Sequence, residues 1–404
     1  MRTICLFALS VVCAAAQSSG WTYSYVYSFS GGAAGSGPYG LAVAPNGTIY
    51  GYLTVNACCN GGVFQLSPPA APGGPWTETV LYAFQGGDDG SQPVGSIVIG
   101  PSGELFGATR LGGNTACGAP GCGTVFQLTP PETPGGTWTE TVLYRFQDVP
   151  DACLPSVGPA LGPDGSLYGT TYDCGSHAQG SGAVYQVTPP TAPGGSWTES
   201  VIHSFSQFGP AGCNPTAGIA VSAASVLYGS ASACSIGSIF SLAPPSVPGG
   251  AWQMSLLRKF GTGGTLALSP GGDLYGFTEN AGTARAFQLT PPALPNANWT
   301  EVVLHSFGEG PGGWDIVAGP ALDASGNVYG TTTKGGTAHS GVIFQITPPT
   351  SPGGTWTENL LYNFATNDGG GAVIVSPDGG LYGTSIYGES NQGAIYELSP
   401  PSRP

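Results

Sequence analysis

The sequence predicts an all-β fold, a seven-bladed propeller of four-stranded blades. Three observations predict it: an aromatic marker set that recurs seven times, a strand-and-turn pattern inside each repeat, and two chain ends that complement each other. The first marker is Trp21, Trp76, Trp138, Trp197, Trp252, Trp299 and Trp356, at intervals of 55, 62, 59, 55, 47 and 57 residues. Eight residues after each stands a phenylalanine: Phe29, Phe84, Phe146, Phe205, Phe260, Phe307 and Phe364. A third marker runs from Ile49-Tyr50-Gly51 to Leu381-Tyr382-Gly383. A fourth runs from Val63-Phe64-Gln65-Leu66 to Ile395-Tyr396-Glu397-Leu398, each copy leading into Pro-Pro.

Residues 93–146 show the four strands of one repeat. Strand a covers Gly95–Gly100 and turns at Pro101-Ser102-Gly103. Strand b covers Glu104–Thr109 and ends in a Gly-rich loop. Strand c covers Thr124–Thr129, and a Pro-Pro-Glu-Thr-Pro-Gly-Gly stretch leads to strand d, Trp138–Phe146. Runs of β-branched and aromatic residues between Gly, Pro, Asn and Asp clusters are strand signals. Gly or Pro interrupts every window of helical length, so helix is excluded. The chain opens on a lone d strand, Trp21–Phe29, and closes on a, b and c, Ala372–Leu398. Joining them completes a seventh blade, closes the ring and removes the sheet edges that a solenoid would have to cap.

Residues 1–16 form an expected signal peptide, with Arg2 before an apolar run, Ile4–Ala16, that ends in small residues. Cleavage is expected between Ala16 and Gln17, leaving residues 17–404 as a single propeller domain in a secreted, extracellular or periplasmic protein. The apolar run is too short to span a bilayer, which takes about 20 residues. Only 7% of residues are charged, yet 41% are hydrophobic and 10% aromatic, enough for a sizeable core. A net charge of −14 with eight Lys and Arg excludes nucleic acid and anionic membrane surfaces as partners. Eight cysteines remain once Cys5 and Cys13 leave with the signal, an even number that fits disulfides in an oxidising compartment. The loop positions pair Cys117 with Cys122, Cys153 with Cys174 and Cys213 with Cys234. Adjacent Cys58 and Cys59 stay ambiguous, because a vicinal bridge is strained.

The segments Asp89-Gly90-Ser91-Gln92-Pro93, Gly103-Glu104-Leu105-Phe106-Gly107-Ala108-Thr109, Gly112-Gly113 and Gly123-Thr124-Val125-Phe126-Gln127-Leu128-Thr129-Pro130-Pro131 resemble the GloVer repeat family of exported bacterial tandem-repeat proteins. Weaker copies cover essentially the whole mature chain. The resemblance implies export and, in many members, a sorting anchor after the repeats. This sequence ends at Pro404, just past the last blade, so no anchor is expected. The family brings no established activity.

Glu78, Glu140, Glu199, Glu301 and Glu358 follow Trp-Thr on strand d, and Asp164, Asp273, Asp323 and Asp378 lie at a–b turns. Their expected roles are strand solvation and turn formation. His203 and His305 take the strand position held elsewhere by Tyr82 and Tyr144. The irregular residues are more informative. Asp88, Asp89, Asp148, Asp151, Asp173, Glu279, Glu309, Asp315, Asp368, Glu389, His177, His339 and the eight mature cysteines all fall in d–a or b–c loops, which share one face of a propeller. Loops on a rigid scaffold are where binding residues concentrate. Gly35-Ser36-Gly37-Pro38-Tyr39-Gly40 matches a dinucleotide fingerprint but precedes a strand. No zinc spacing occurs. Asp88-Asp89-Gly90 offers carboxylates to calcium, but sibling loops such as Ala33-Ala34-Gly35 do not, so neither metal nor cofactor is expected.

The expected ligand surface is centred on Trp314, the one tryptophan outside the repeat, in a Gly-rich d–a loop beside Asp315. Tyr172 and Asp173, Tyr387 and Glu389, and Asp88 and Asp89 would extend it. Aromatic faces stack on sugars, and carboxylates accept hydroxyl hydrogen bonds. The expected function is therefore binding of an extracellular glycan or protein. The alternatives are a polysaccharide hydrolase or lyase with a carboxylate pair on that face, and a purely structural role.

Overall fold

The computed structural model describes residues 20–32, 35–55, 60–71, 73–133, 135–175, 181–192, 194–206, 209, 211–215, 217–231, 237–247, 249–260, 262–280, 283–294, 297–351, 353–365, 370–386, 388 and 391–401. The expected signal peptide lies outside them. Among these residues thirty strands, β1 to β30 in chain order, form seven antiparallel sheets. Blade 1 holds β2 (Ser36–Val43), β3 (Ile49–Val55), β4 (Gly62–Ser67) and β5 (Thr77–Ala83) as its strands a to d. Blade 2 holds β6 (Ser91–Ile99), β7 (Leu105–Leu111), β8 (Thr124–Thr129) and β9 (Thr139–Arg145). Its strand a starts four residues before the sequence-based boundary, because Ser91 pairs with Leu111 above a register shift between Val94 and Val98. In blades 3 and 6, strand a is split in two.

Blade 7 joins the two ends of the chain. β1 (Thr22–Ser28) pairs antiparallel with β30 (Ala394–Ser399), outside β29 (Leu381–Ser385) and β28 (Val373–Val375), as the complementary ends require. Phe29 then packs with Leu41, Phe64 and Ile395 between blades 7 and 1, and Trp21 packs into the cluster between blades 6 and 7.

Seven core clusters occur among the described residues, and each lies between two consecutive blades. The repeat markers meet there. Six of the seven repeat tryptophans stand edge-on to the strand-b aromatic of the preceding blade, among them Trp138 on Tyr50 at 6.1 Å, Trp197 on Phe106 at 6.4 Å, Trp252 on Tyr168 at 5.9 Å and Trp356 on Tyr275 at 6.3 Å. The phenylalanine eight residues on reaches the strand-c ring of the following blade wherever its side chain is described, as Phe84 on Phe126 at 5.1 Å and Phe146 on Tyr185 at 4.9 Å. That ring in turn lies across the strand-b glycine of its own blade. A Cβ on Gly276 would sit 2.3 Å from Phe287 Cζ, and one on Gly383 would sit 2.3 Å from Tyr396 Cζ.

All seven d strands carry a β-bulge five residues after the tryptophan, at Val26, Leu81, Leu143, Ile202, Leu257, Leu304 and Leu361. A bulge breaks the two-residue alternation and re-aims the next side chain. At six of the seven seams that next residue, six after the tryptophan, meets the residue two after the tryptophan of the following blade. Arg258 pairs with Glu301, His305 Nε2 lies 3.6 Å from Glu358 Oε2, and Tyr23 stacks on Tyr362 at 4.1 Å. Glu78 faces Tyr27, Glu140 faces Tyr82 and Glu199 faces Tyr144. The Trp-Thr-Glu glutamates are thus seam residues and not solvated strand acids. Oε1 of Glu78, Glu140, Glu199 and Glu358 is buried without a hydrogen-bond partner. Burial favours the neutral acid. It pushes Glu358 up to about 7, and burial followed by the Asp89 charge pushes Glu140 to about 7. Glu199 is pushed up to about 9, by burial first and then by its hydrogen bond to the Asp151 carboxylate.

The a–b turns follow the sequence reading. Asp164 accepts from Ser166 N, Asp323 from Ser325 N and Asn327 N, and Asp378 from Gly380 N.

Two outcomes follow from the seams. Deleting residues 17–30 leaves β30 as an open edge and removes Trp21 and Phe29 from two clusters. The truncated chain should melt far lower and aggregate, and an unchanged melting temperature would contradict ring closure through β1. The glutamates set a pH dependence. Their folded pKa values lie above the unfolded value near 4.5, so the folded state holds the extra protons. Their contribution is complete below about 4.5 and is lost as pH rises through about 7, and through about 9 for Glu199. Melting temperature should fall between pH 5 and 9, and Glu199→Gln should flatten the upper part of that fall. A melting temperature that rises with pH across this window would refute the assignment.

Candidate functional site

The d–a and b–c loops meet on one face, as the strand order requires. In blades 1 to 4 the top of strand a repeats one device: Ser36-Gly37-Pro38, Ser91-Gln92-Pro93, Cys153-Leu154-Pro155 and Cys213-Asn214-Pro215. The middle residue is left-handed, with φ of 62°, 54°, 54° and 47°. Its N–H donates to the preceding blade: to Gln392 O at 2.8 Å, Asn60 O at 2.9 Å, Cys122 O at 2.8 Å and Ser181 O at 2.6 Å. The proline covers a glycine there, Gly393, Gly61, Gly123 or Gly182, where no Cβ would fit.

Blade 6 keeps the bend and changes its residues to Trp314-Asp315-Ile316. These three form β23 (Trp314–Ile316), so Trp314 stands on a short strand and not in the expected loop. It pairs with Lys334, the last residue of β25 (Val328–Lys334). The strand forms because Gly313 and Gly335 let two backbones touch: a Cβ on Gly335 would lie 2.3 Å from Gly313 Cα. Asp315 holds φ 67°, a bend that Asp tolerates better than most residues. Its Oδ2 accepts from Thr333 Oγ1 at 2.8 Å and lies 3.4 Å from Lys334 Nζ. Lys334 Nζ is 4.3 Å from the centroid of the Trp314 ring. A cation over an indole face is attracted by the ring quadrupole. One indole face is therefore covered from within.

The rest of the half-buried indole lines a pocket of about 600 Å³ between the d–a loop, Glu309 to Trp314, and the b–c loop, Gly335 to His339. Thr337 N donates to Asn363 Oδ1 at 3.0 Å, and His339 N bonds Gly336 O, holding His339 at φ 56°. The side chains of Glu309 and His339 are exposed and have no hydrogen-bond partner among the described residues. The pocket thus joins a rigid aromatic edge to a carboxylate, an imidazole and the Thr337 hydroxyl.

Asp88, Asp89, Tyr172 and Asp173 do not line this pocket. Asp88 is exposed in a 3-10 turn, Gly87–Asp89, and its carbonyl accepts from Arg145 Nε. The Asp89 carboxylate is engaged within its own blade boundary, accepting from Tyr82 OH at 2.7 Å and Gln85 N. Tyr172 and Asp173 lie on strand b of blade 3, β12 (Leu167–Cys174), and not past its end. Strand b is longer there because Ala152 and Cys153 pair with Cys174 and Asp173. Glu279 likewise lies on a strand, Leu274–Asn280. Tyr387, Glu389, Asp368 and His177 fall outside the described residues.

Cys117–Cys122 and Cys153–Cys174 are formed as the loop positions predict. Cys213 is disulfide-bonded, and its expected partner Cys234, with Cys58 and Cys59, lies outside the described residues. A second pocket, about 720 Å³ on the opposite face, lies between blades 3 and 4. Its aromatic walls are the seam pair Tyr168 and Trp252, and Asp164, Ser166, Tyr168 and Gln186 hydrogen-bond one another.

In fold the chain is similar to a streptogramin B lyase, at 14% identity and TM-score 0.56, over 94% of this chain and 97% of that one. It is equally similar to virginiamycin B lyase from Staphylococcus aureus, at 12% identity and TM-score 0.55, over 94% and 98%. A puromycin-hydrolyzing peptidase from Mycobacterium tuberculosis matches at 10% identity and TM-score 0.56, over 92% of this chain and 53% of that one. At these identities the likeness is one of fold alone. No curated protein matches the chain in sequence. The model of the Gloeobacter/Verrucomicrobia repeat matches residues 13–240, more than half of the chain, with the motifs that resemble the GloVer repeats. The chain belongs to the Gloeobacter/Verrucomicrobia repeat family.

Proposed function

We propose that this propeller is an exported binding module whose ligand seats in the blade 6 pocket, against Trp314. The observation that carries this reading is that blade 6 departs from the strand-a device of blades 1 to 4 at the pocket wall, with an aromatic and two unengaged polar side chains facing one cleft. A residue kept only for packing would be expected to follow the seam pattern. Small-molecule sites combine apolar walls with a few convergent polar groups, as here.

The ligand class is a neutral or cationic glycan. An indole edge offers a stacking surface at low entropic cost, while Glu309 and Thr337 supply hydroxyl partners. The net charge of −14 disfavours polyanionic glycans at long range. Export follows from the signal pattern in residues 1–16 and fits the two bridges, which persist in an oxidising compartment. No helix among the described residues is long and apolar enough to cross a membrane.

The test is Trp314→Ala against an array of neutral and amino-bearing oligosaccharides, followed by calorimetry on the hits. Binding should fall at least about tenfold, the equivalent of about 1.4 kcal/mol, with melting unchanged. A drop of several degrees with binding intact would return Trp314 to a packing role. Release of reducing ends or unsaturated products from any hit would make the site an enzyme's instead.

A further inference from the structure

The two disulfides with both cysteines among the described residues are neighbours across a seam. Cys117 and Cys122 close the b–c loop of blade 2, and Cys153 and Cys174 join the top of strand a to the end of strand b in blade 3. The Sγ atoms of Cys117, Cys153 and Cys174 all lie within 4.8 Å of one another. The backbone holds them there: Leu154 N donates to Cys122 O at 2.8 Å, and Cys122 N donates to Asn114 O at 2.9 Å. Access is unequal. Cys122, Cys153 and Cys174 are buried, while Cys117 is only partly so, at the end of an exposed 3-10 turn, Thr115–Cys117.

We propose that Cys117–Cys122 is an exchange-active bridge, and that it is the route by which a dithiol reductant opens the buried Cys153–Cys174 bridge. A thiolate of the reductant attacks Cys117, the less buried cysteine of the bridge, and Cys122 leaves as thiolate. Cys117 N–H, 3.0 Å from Cys122 Sγ, stabilises that leaving group. The second thiol of the reductant closes its own disulfide and releases Cys117, so one disulfide has been reduced and one dithiol oxidised. The freed Cys117 thiolate then faces the inner bridge. Attack on Cys174 expels Cys153, whereas attack on Cys153 would expel Cys174 beside Asp148, whose Oδ1 is 3.7 Å from Cys174 Sγ. A carboxylate disfavours a neighbouring thiolate, and the more stable thiolate leaves faster. The product is a Cys117–Cys174 bridge with Cys122 and Cys153 as thiols. This exchange consumes no further reductant, and it ties blade 2 to blade 3 across their seam. A second dithiol then attacks that bridge at Cys117 and reduces it.

The experiment is a time course on the folded chain with dithiothreitol, first at one equivalent and then in excess, quenched with acid and N-ethylmaleimide and mapped by peptide mass spectrometry. One equivalent should yield the Cys117–Cys174 bridge. In excess, thiols at Cys122 should precede those at Cys153 and Cys174. The double variant Cys117→Ser with Cys122→Ser should lose Cys153–Cys174 at least tenfold more slowly than the parent, with melting followed in parallel. Equal rates in a folded variant would overturn the relay. So would the absence of any Cys117–Cys174 species in the parent, a readout that does not depend on the variant folding.

Discussion

The structure depends on one packing constraint, the strand-c aromatic ring that lies across the strand-b glycine of its own blade. The ring needs that glycine, because a Cβ at Gly169, Gly276 or Gly383 would meet the ring of Tyr185, Phe287 or Tyr396 at 2.3–2.4 Å. Seated there, Tyr185 presents its ring to Phe146 of the preceding blade, at 4.9 Å. The strand-b aromatic next to the glycine meets the tryptophan of the following blade, as Tyr168 meets Trp252. Each blade therefore buries its faces only against its neighbours. An open array would leave two faces wet, and the pairing of β1 with β30 gives the first and last repeats a seam of the same kind.

A ring of near-identical seams also explains where function can reside. Residues that obey the repeat are committed to packing, including the glutamates after Trp-Thr, whose buried oxygens face the preceding blade. Freedom is left to the loops of one face. Even there, Asp89 and Asp151 are drawn into holding Tyr82 and Tyr144. Blade 6 differs. Asp315 and Lys334 satisfy each other above Trp314, whereas Glu309 and His339 point into a cleft without partners among the described residues. That contrast is the physical basis for placing a ligand there.

The fold was legible because its signals are local. Tryptophan spacing, the strand-b glycine and the Pro-Pro turn each recur within one repeat, and the Cys117–Cys122 and Cys153–Cys174 bridges followed once loops were assigned to blades. What could not be read arises between repeats. The bulge at Leu81 and its counterparts breaks the two-residue period, so Tyr82 does not sit where alternation would put it. Its meeting with Glu140 joins residues 58 positions apart. A trace of this was present: where the glutamate position becomes Tyr23, its partner is Tyr362, and where it remains Glu301 the partner is Arg258. At the site, Trp314 and Asp315 stood out as departures from the repeat. Glu309 and His339 carried the same signal and were not joined to them, because only the crossing of Gly313 and Gly335 brings those loops together. The extension of β12 through Tyr172 and Asp173 depends on pairing with the split strand a of blade 3, which no periodicity encodes.

The seam is tested most directly at Gly276, on strand b of blade 5, by the urea midpoint of Gly276→Ala. On a strand, alanine should be favoured over glycine by about 0.5–1 kcal/mol through backbone entropy, so the sign of the change is diagnostic. With Phe287 Cζ 2.3 Å and Leu266 Cδ2 2.9 Å from the new methyl group, the variant should instead be destabilised by about 1–3 kcal/mol. A midpoint equal to the parent's or above it would contradict the account, because the strand-c ring would then have no need of the glycine beneath it.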